Sequence, residues 1–416
     1  MSEAFDPLSV AQDLSEIDVS DPMIFKNDAF RPIFARLRQE APVHYCKESP
    51  FGPYWSITRF HDIMAVDKNH HDFSSQGGVS IGNRSADFEA PNFISMDPPK
   101  HDLQRKAVTG VVAPMNLAKL EPVIRERAGW ILDDLPTGES FNWVDQVSIE
   151  LTTQMLATIF DFPFEERHKL TAWSDLATSS VATGGTLPDE DRREGLMQCL
   201  SEFTDLWNER VHWDPSEHND LITLMANDPA TAEMDPMEYL GNLILLIVGG
   251  NDTTRNSISG GVLGLNQYPL EYQKLSANPG LIPSMIPEII RWQTPLTHMR
   301  RIAKHDVSFQ GQRIKAGDKV VMWYVSGNRD ETAIDDPERF WIDRQNPRHH
   351  LSFGFGIHRC MGNRLAEMQL RVLWEEIMDR FEHVEVVGEP VRIASNFVRG
   401  IAELPVRVHR RKARAG

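Results

Sequence analysis

Apolar residues recur at i, i+3 or i+4 spacing in four separate stretches: 30–41 "FRPIFARLRQEA", 117–135 "LAKLEPVIRERAGWILDDL", 149–160 "IELTTQMLATIF" and 365–381 "LAEMQLRVLWEEIMDRF". Each predicts an amphipathic helix. A fifth helix is predicted over 235–268, because Asp235 stands before Pro236 and Pro269 ends the pattern. Its roughly 33 residues would run about 50 Å, and the nearly unbroken apolar run from Leu243 to Val248 suits a helix buried on all sides. Strand-like alternation with Gly or Pro turns is confined to 53–60, 307–325 and 384–408. The polar segments 72–100 and 178–193 predict loops of the kind that cover pockets. With no internal repeat and no linker-like tract, the chain reads as one mainly α domain over 1–416 with a small β-rich part.

The long helix breaks two local rules at its middle. Gly249 and Gly250 are adjacent, each about 1 kcal/mol less favourable than Ala, and Asp252 would be a carboxylate in an apolar helix that requires a partner. Two readings follow. Small residues let another helix approach, or they open a hollow. Helical spacing puts Leu246, Gly249, Gly250, Thr253 and Ser257 on one face, so a hollow there could take a flat cofactor or a small gas, with Asp252 and Thr253 placed to pass protons.

Charge and cysteine usage narrow the classes. Lys and Arg number 43 against 60 Asp and Glu, a net charge of −17, which excludes a nucleic-acid partner because phosphate contacts need clustered positive charge. The three cysteines, Cys46, Cys199 and Cys360, form no CxxC pair and no disulfide framework. The acidic N-terminal residues lack a basic and apolar leader, and the apolar run at 243–248 is too short to cross a bilayer. A cytoplasmic protein without an integral membrane anchor is expected.

The remaining anomaly is "FGFGIHRCMG", 353–362. Cys360 precedes a predicted helix, where free N–H groups favour thiolate. Phe353 and Phe355 would shield it. Nucleophile, redox switch and metal ligand all want such a cysteine, but the aromatic cover argues against substrate access to a nucleophile. A shielded thiolate with His and Arg nearby suits an iron porphyrin, whose propionates need cations. Cys46 and Cys199 have no motif around them.

Phe353, Gly356, Cys360 and Gly362, in the pattern F-x-x-G-x-x-x-C-x-G, resemble the haem-binding signature of the cytochrome P-450 superfamily. Three more segments resemble the family in the expected order: Gly249-Gly250-Asn251-Asp252-Thr253 its oxygen-activation motif, Glu288-Ile289-Ile290-Arg291 its E-x-x-R helix, and Pro337-Glu338-Arg339-Phe340 the segment completing its E-R-R triad. From "DPPKHDLQR" (97–105) to the C-terminal strands, the resemblance covers nearly the whole chain.

The resemblance implies a triangular, mainly helical domain with a small β-rich subdomain and haem b between the long helix and the helix after Cys360. It implies Cys360 as the axial iron ligand, His101, Arg105, Arg301 and His358 on the propionates with Arg301 preferred over Arg300, and Phe353 and Gly250 against the porphyrin. It implies Asp252 and Thr253 as the proton-delivering pair, and Glu288, Arg291 and Arg339 as a structural triad. The soluble bacterial type is implied, with O2 as co-substrate and electrons from NAD(P)H through a ferredoxin and its reductase. Within that type, "GGNDTTRN", "TPLTHMRRIA" and the cysteine loop look like the branch that hydroxylates linear alkanes, fatty acids or alcohols at the terminal carbon, with Leu246, Gly249 and Leu296 against an apolar substrate. Terpenes or steroids fit the same face. A peroxygenase would not need the Asp252 and Thr253 pair, and a non-catalytic haem sensor would need no hollow. The pairs His70-His71 and His349-His350 read as surface or structural residues.

Overall fold

The computed structural model describes residues 13–83, 88–180, 183, 185 and 187–410. Parts of the two predicted loops, at 84–87 and at 181, 182, 184 and 186, lie outside them, as do the acidic residues 1–12 and the basic tail 411–416.

The long helix, Pro236–Gln267, crosses the core. It starts where expected because the Asp235 carboxylate accepts the free amides of Met237 and Glu238 at 2.9 and 3.0 Å. Helices Glu150–Phe160, His168–Thr178 and Ile282–Gln293 pack around it. The last comes close enough that a Cβ on Gly261 would stand 2.8 Å from Ile289 Cδ1, so part of the helix's small-residue content is a packing crossover. Helix Asn363–Arg380 packs on helix Pro114–Asp133. Except for His168–Thr178, whose Leu170 and Trp173 belong to a second cluster, these helices bury the largest apolar cluster, with Trp143, Trp292 and Trp374 inside it. Among the described residues no helix is long and apolar enough to cross a membrane.

The β-rich part is a five-stranded mixed sheet in the order Val43–Cys46, Tyr54–Ile57, Lys319–Met322, Met299–Ala303, Phe73–Ser74. The Tyr54–Ile57 and Lys319–Met322 strands run parallel. Strands Phe381–Val386 and Pro405–Arg410 join the short Phe141–Asn142 strand in a second sheet. Two sequence expectations needed correction. The 53–60 strand stops at Ile57, and Phe60 already opens a helix to Lys68. The 178–193 loop is shorter, since helix Asp189–Arg210 begins inside it, with Asp189, Glu190 and Asp191 in its first turn.

Candidate active site

A cavity of about 920 Å³ lies beside the middle of the long helix. Leu246, Gly249, Gly250, Thr253 and Ser257 line it, the face that helical spacing picks out. Gly249 faces open space, where a Cβ would meet nothing within 4 Å, whereas a Cβ on Gly250 would sit 2.7 Å from Leu156 Cδ2. Leu296, Phe353 and Cys360 line the same cavity.

The cysteine loop is shaped by two left-handed glycines, Gly354 at φ +66° and Gly356 at φ +70°. At Gly356 a Cβ would also stand 2.6 Å from the Asp67 carbonyl oxygen. This turn lets the Cys360 amide donate to the Phe353 carbonyl at 2.8 Å, and presents the sulfur to the cavity just before the helix that begins at Asn363. Burial raises the thiol pKa, and the amides of Gly362 and Asn363 with the Arg105 and Arg359 charges pull it back only in part.

Asp67, unmarked by any motif, organises the loop. Its carboxylate accepts from Arg301 Nη2 at 2.6 Å, Tyr324 Oη at 2.8 Å and the Phe355 amide at 2.8 Å. Arg300 and Arg301 are neighbours on one strand and so point to opposite faces. Arg301 lines the cavity. Arg300 instead donates to the carbonyls of Gly77, Gly78 and Gly82 and to Asn83, fastening the 77–83 loop.

Arg105 also lines the cavity and donates to the Arg359 carbonyl. His358 lines it too, and shares a 2.9 Å hydrogen bond with Ser75 Oγ through Nε2. His101 packs edge-on against His358, ring centroids 4.2 Å apart, with its Nδ1 2.7 Å from Asp102 Oδ1. Burial and the Arg301, His101 and Arg105 charges push the His358 pKa down to about 2. His101 Nε2 and His358 Nδ1 are buried without a partner.

Asp252 and Thr253 are one residue, or about 100°, apart on the helix, and they separate. Thr253 lines the cavity, its Oγ1 donating to the Gly249 carbonyl at 2.8 Å. Asp252 is fully buried, accepts from Ser174 Oγ at 2.8 Å, and pairs with Arg255, which also reaches Asp175 at 2.7 Å. Burial raises its pKa, and Arg255 opposes the rise. Ser174 belongs to no motif that the sequence singles out, and Arg255 stands within "GGNDTTRN" without a role assigned to it there.

Glu288 and Arg291 form a fully buried fork at 2.7 and 2.8 Å. The third member is a correction. Arg344, at 3.1 Å, reaches Glu288, whereas Arg339 turns outward to Glu271 at 3.2 Å with 45% of its side chain exposed. Arg339 contributes its carbonyl, which accepts from both Arg291 and Arg344. His349, His71 and half-buried His350 and His70 stand apart from the cavity wall, and Cys46 and Cys199 are buried elsewhere.

The family model for cytochrome P-450 matches residues 189–406. The chain belongs to the cytochrome P-450 family. It is similar to the structure of CYP153D17 from Sphingomonas sp. PAMC 26605, with 47% identity, 94% of this chain and 99% of that one covered, and a TM-score of 0.89. It is 34% identical to linalool 8-monooxygenase of Pseudomonas putida over 94% of this chain and 98% of that protein. It is 31% identical to a methyl-branched lipid omega-hydroxylase of Mycobacterium bovis over 90% of each. Cytochrome P-450 enzymes are haem-dependent monooxygenases that carry haem b. The residues present fit that group. A sulfur facing the cavity would suit an iron, whose charge would offset the burial that disfavours thiolate. The cationic Arg105 and Arg301, with the orphaned Nδ1 of His358, which carries the ring proton when Nε2 accepts from Ser75 Oγ, form a donor set for an acidic porphyrin edge.

Proposed function

We propose that this monooxygenase hydroxylates linear alkyl chains at their terminal carbon, drawing electrons from a ferredoxin and its reductase. The observation that carries the reading is that Cys360 and an apolar wall of the long helix, Ile244, Leu245, Leu246, Val248 and Gly249, line one continuous cavity. The omega-hydroxylase relative acts on a methyl-branched lipid at its omega position by name, which supports terminal oxidation of a chain. A terpene is the second reading, favoured by the linalool 8-monooxygenase relative.

In this reading Cys360 would ligate the iron, while Arg105 and Arg301, with His101 and His358 behind them, would hold the propionates. The Glu288, Arg291 and Arg344 cluster keeps the loop before Cys360 in place. When bound, the haem supplies activation of O2, so that one oxygen atom enters a C–H bond and the other leaves as water. Thr253 Oγ1 is held by Gly249 O with its oxygen facing the cavity, ready to orient a proton there. Asp252 is held behind it in a raised-pKa site, poised to pass a proton from the Arg255 and Ser174 side. Leu246 and Leu296 exclude water from the reacting carbon. Incubation of the holoenzyme with a ferredoxin system and n-alkanes or fatty acids, followed by product analysis, tests the reading. Terminal alcohols are expected. Products oxidised only at internal carbons, or turnover of linalool with none of linear chains, would overturn it.

A further inference from the structure

The geometry points to an anion-recognising end of the cavity, built on Arg192, that selects linear substrates carrying a carboxylate over hydrocarbons of equal length. The inference rests on the linear-chain reading and names its substrate class. Arg192 lines the same cavity as Cys360. Its side chain is only 11% exposed, yet its partners are weak. Nη2 lies 3.4 Å from Asp189 Oδ1, a carboxylate that is itself 47% exposed. The guanidinium carbon stands 5.9 Å from the Phe88 ring centroid, near the limit of a cation–π contact. Nε is buried without any partner. A mostly buried guanidinium with one long bond and one orphaned N–H is under-compensated, and its planar fork matches a carboxylate side-on.

The location suits a substrate's far end. The loop carrying Phe88 continues to Ala90 and Pro91, which press on the long helix at Gly241, where a Cβ would stand 2.6 Å from the Ala90 carbonyl oxygen. Gly241 is about 12 Å along the helix axis from Gly249, whose open face belongs to the cavity that Cys360 also lines. Between them the wall is apolar, through Ile244, Leu245 and Val248. An extended chain lying along it would present its tail toward Cys360 and its head toward Arg192. Other charges nearby include Asp189, which lines the same cavity, with Glu190 and Asp191, all exposed, Glu89 beside Phe88 in the chain, and Arg193, 5.7 Å from the Phe88 ring. Solvated carboxylates in the first turn of the 189–210 helix screen Arg192 only partly, and the helix's own amino end favours an anion on the same side.

The test is the substrate-induced spin-state shift of the holoenzyme, titrated with dodecanoate and with n-dodecane, for the wild type, Arg192→Gln and Arg192→Lys. Gln should weaken dodecanoate about tenfold or more, the loss of one charge-assisted pair, and leave n-dodecane within about twofold, which also reports an intact pocket. Lys should restore much of the dodecanoate affinity, and added salt should weaken dodecanoate alone. Equal changes for both ligands, or none for either, would overturn the assignment. So would a wild type that binds and terminally oxidises n-dodecane while ignoring dodecanoate, and in that case the linear-chain reading survives. A wild type that binds neither ligand sinks both.

Discussion

Arg344 donates to Glu288 from 3.1 Å inside a buried cluster, although Arg339, five residues earlier, carries the tetrapeptide that resembles the family's triad segment. Glu288 also accepts Arg291 at 2.7 and 2.8 Å and the Trp341 amide at 2.8 Å, so the carboxylate ties its own helix to the 341–344 stretch that precedes the cysteine loop. Arg344→Leu would strip one cation from a buried carboxylate, a loss on the order of 3 kcal/mol. Arg339→Leu removes a half-exposed pair worth about 1 kcal/mol or less. The thermal midpoint and the haem content should therefore fall sharply in the Arg344 variant and little in the Arg339 variant. The reverse order would return the triad role to Arg339.

The separation of Thr253 and Asp252 predicts two different defects. Thr253→Ala removes a hydroxyl at the cavity wall and leaves Asp252 paired with Arg255. Substrate binding should persist while NADH use uncouples from product. Asp252→Asn keeps the shape of the buried site but removes its titratable proton. Turnover should drop by about 100-fold, the scale of general acid–base assistance, with the fold retained because Arg255 keeps Asp175 at 2.7 Å. Product formed per NADH, measured beside the total rate, separates the two. Unchanged coupling in Thr253→Ala would remove that hydroxyl from the proton path.

What could be read from the sequence followed from local physics. The long helix is bounded by Asp235 and Pro269, and both signals act through neighbours in the chain. The cavity face at Leu246, Gly249, Gly250, Thr253 and Ser257 follows from helical period alone. Arg255 was also within reach, because an Arg three residues after Asp252 is a helical neighbour, and Pro188 followed by three acids marks the start of the 189–210 helix. Arg344, Asp67 and Ser174 were not. Their contacts with Glu288, Arg301 and Asp252 span 56, 234 and 78 residues, and the 334–362 region that carries Arg344 is mostly irregular chain with no period to place a side chain.

His298 supplies a pH dependence of stability. Its Nε2 accepts the Ile81 amide at 3.0 Å, so Nδ1 carries the proton and donates to the Asn396 carbonyl at 3.0 Å. Full burial, with Arg300 adding to it, pushes its pKa down to about 3, against about 6.5 in an unfolded chain. Between those values the unfolded state binds the extra proton. Stability from this group is therefore complete above pH 6.5 and is lost as pH falls toward 3. Ile81 lies in the loop that Arg300 fastens, so acid should loosen that loop first. His298→Gln should flatten the fall in thermal midpoint between about pH 6.5 and 4.5. An unaltered slope would assign the acid sensitivity to other groups.

Gly249 and Gly250 separate helix strength from cavity space. Nothing lies within 4 Å of a Cβ at Gly249, so Gly249→Ala gains helix propensity without a clash, about 1 kcal/mol. At Gly250 the methyl group meets Leu156 Cδ2 at 2.7 Å, and a flexible leucine must rotate into the cavity or the helix must shift. The midpoint of thermal unfolding should therefore rise for Gly249→Ala and rise less, or fall, for Gly250→Ala. The same methyl at position 249 enters the space that the substrate's reacting end is proposed to occupy, so its dissociation constant for a linear substrate should increase even as the protein becomes more stable. A variant that gains stability and keeps wild-type affinity would place the reacting carbon away from Gly249.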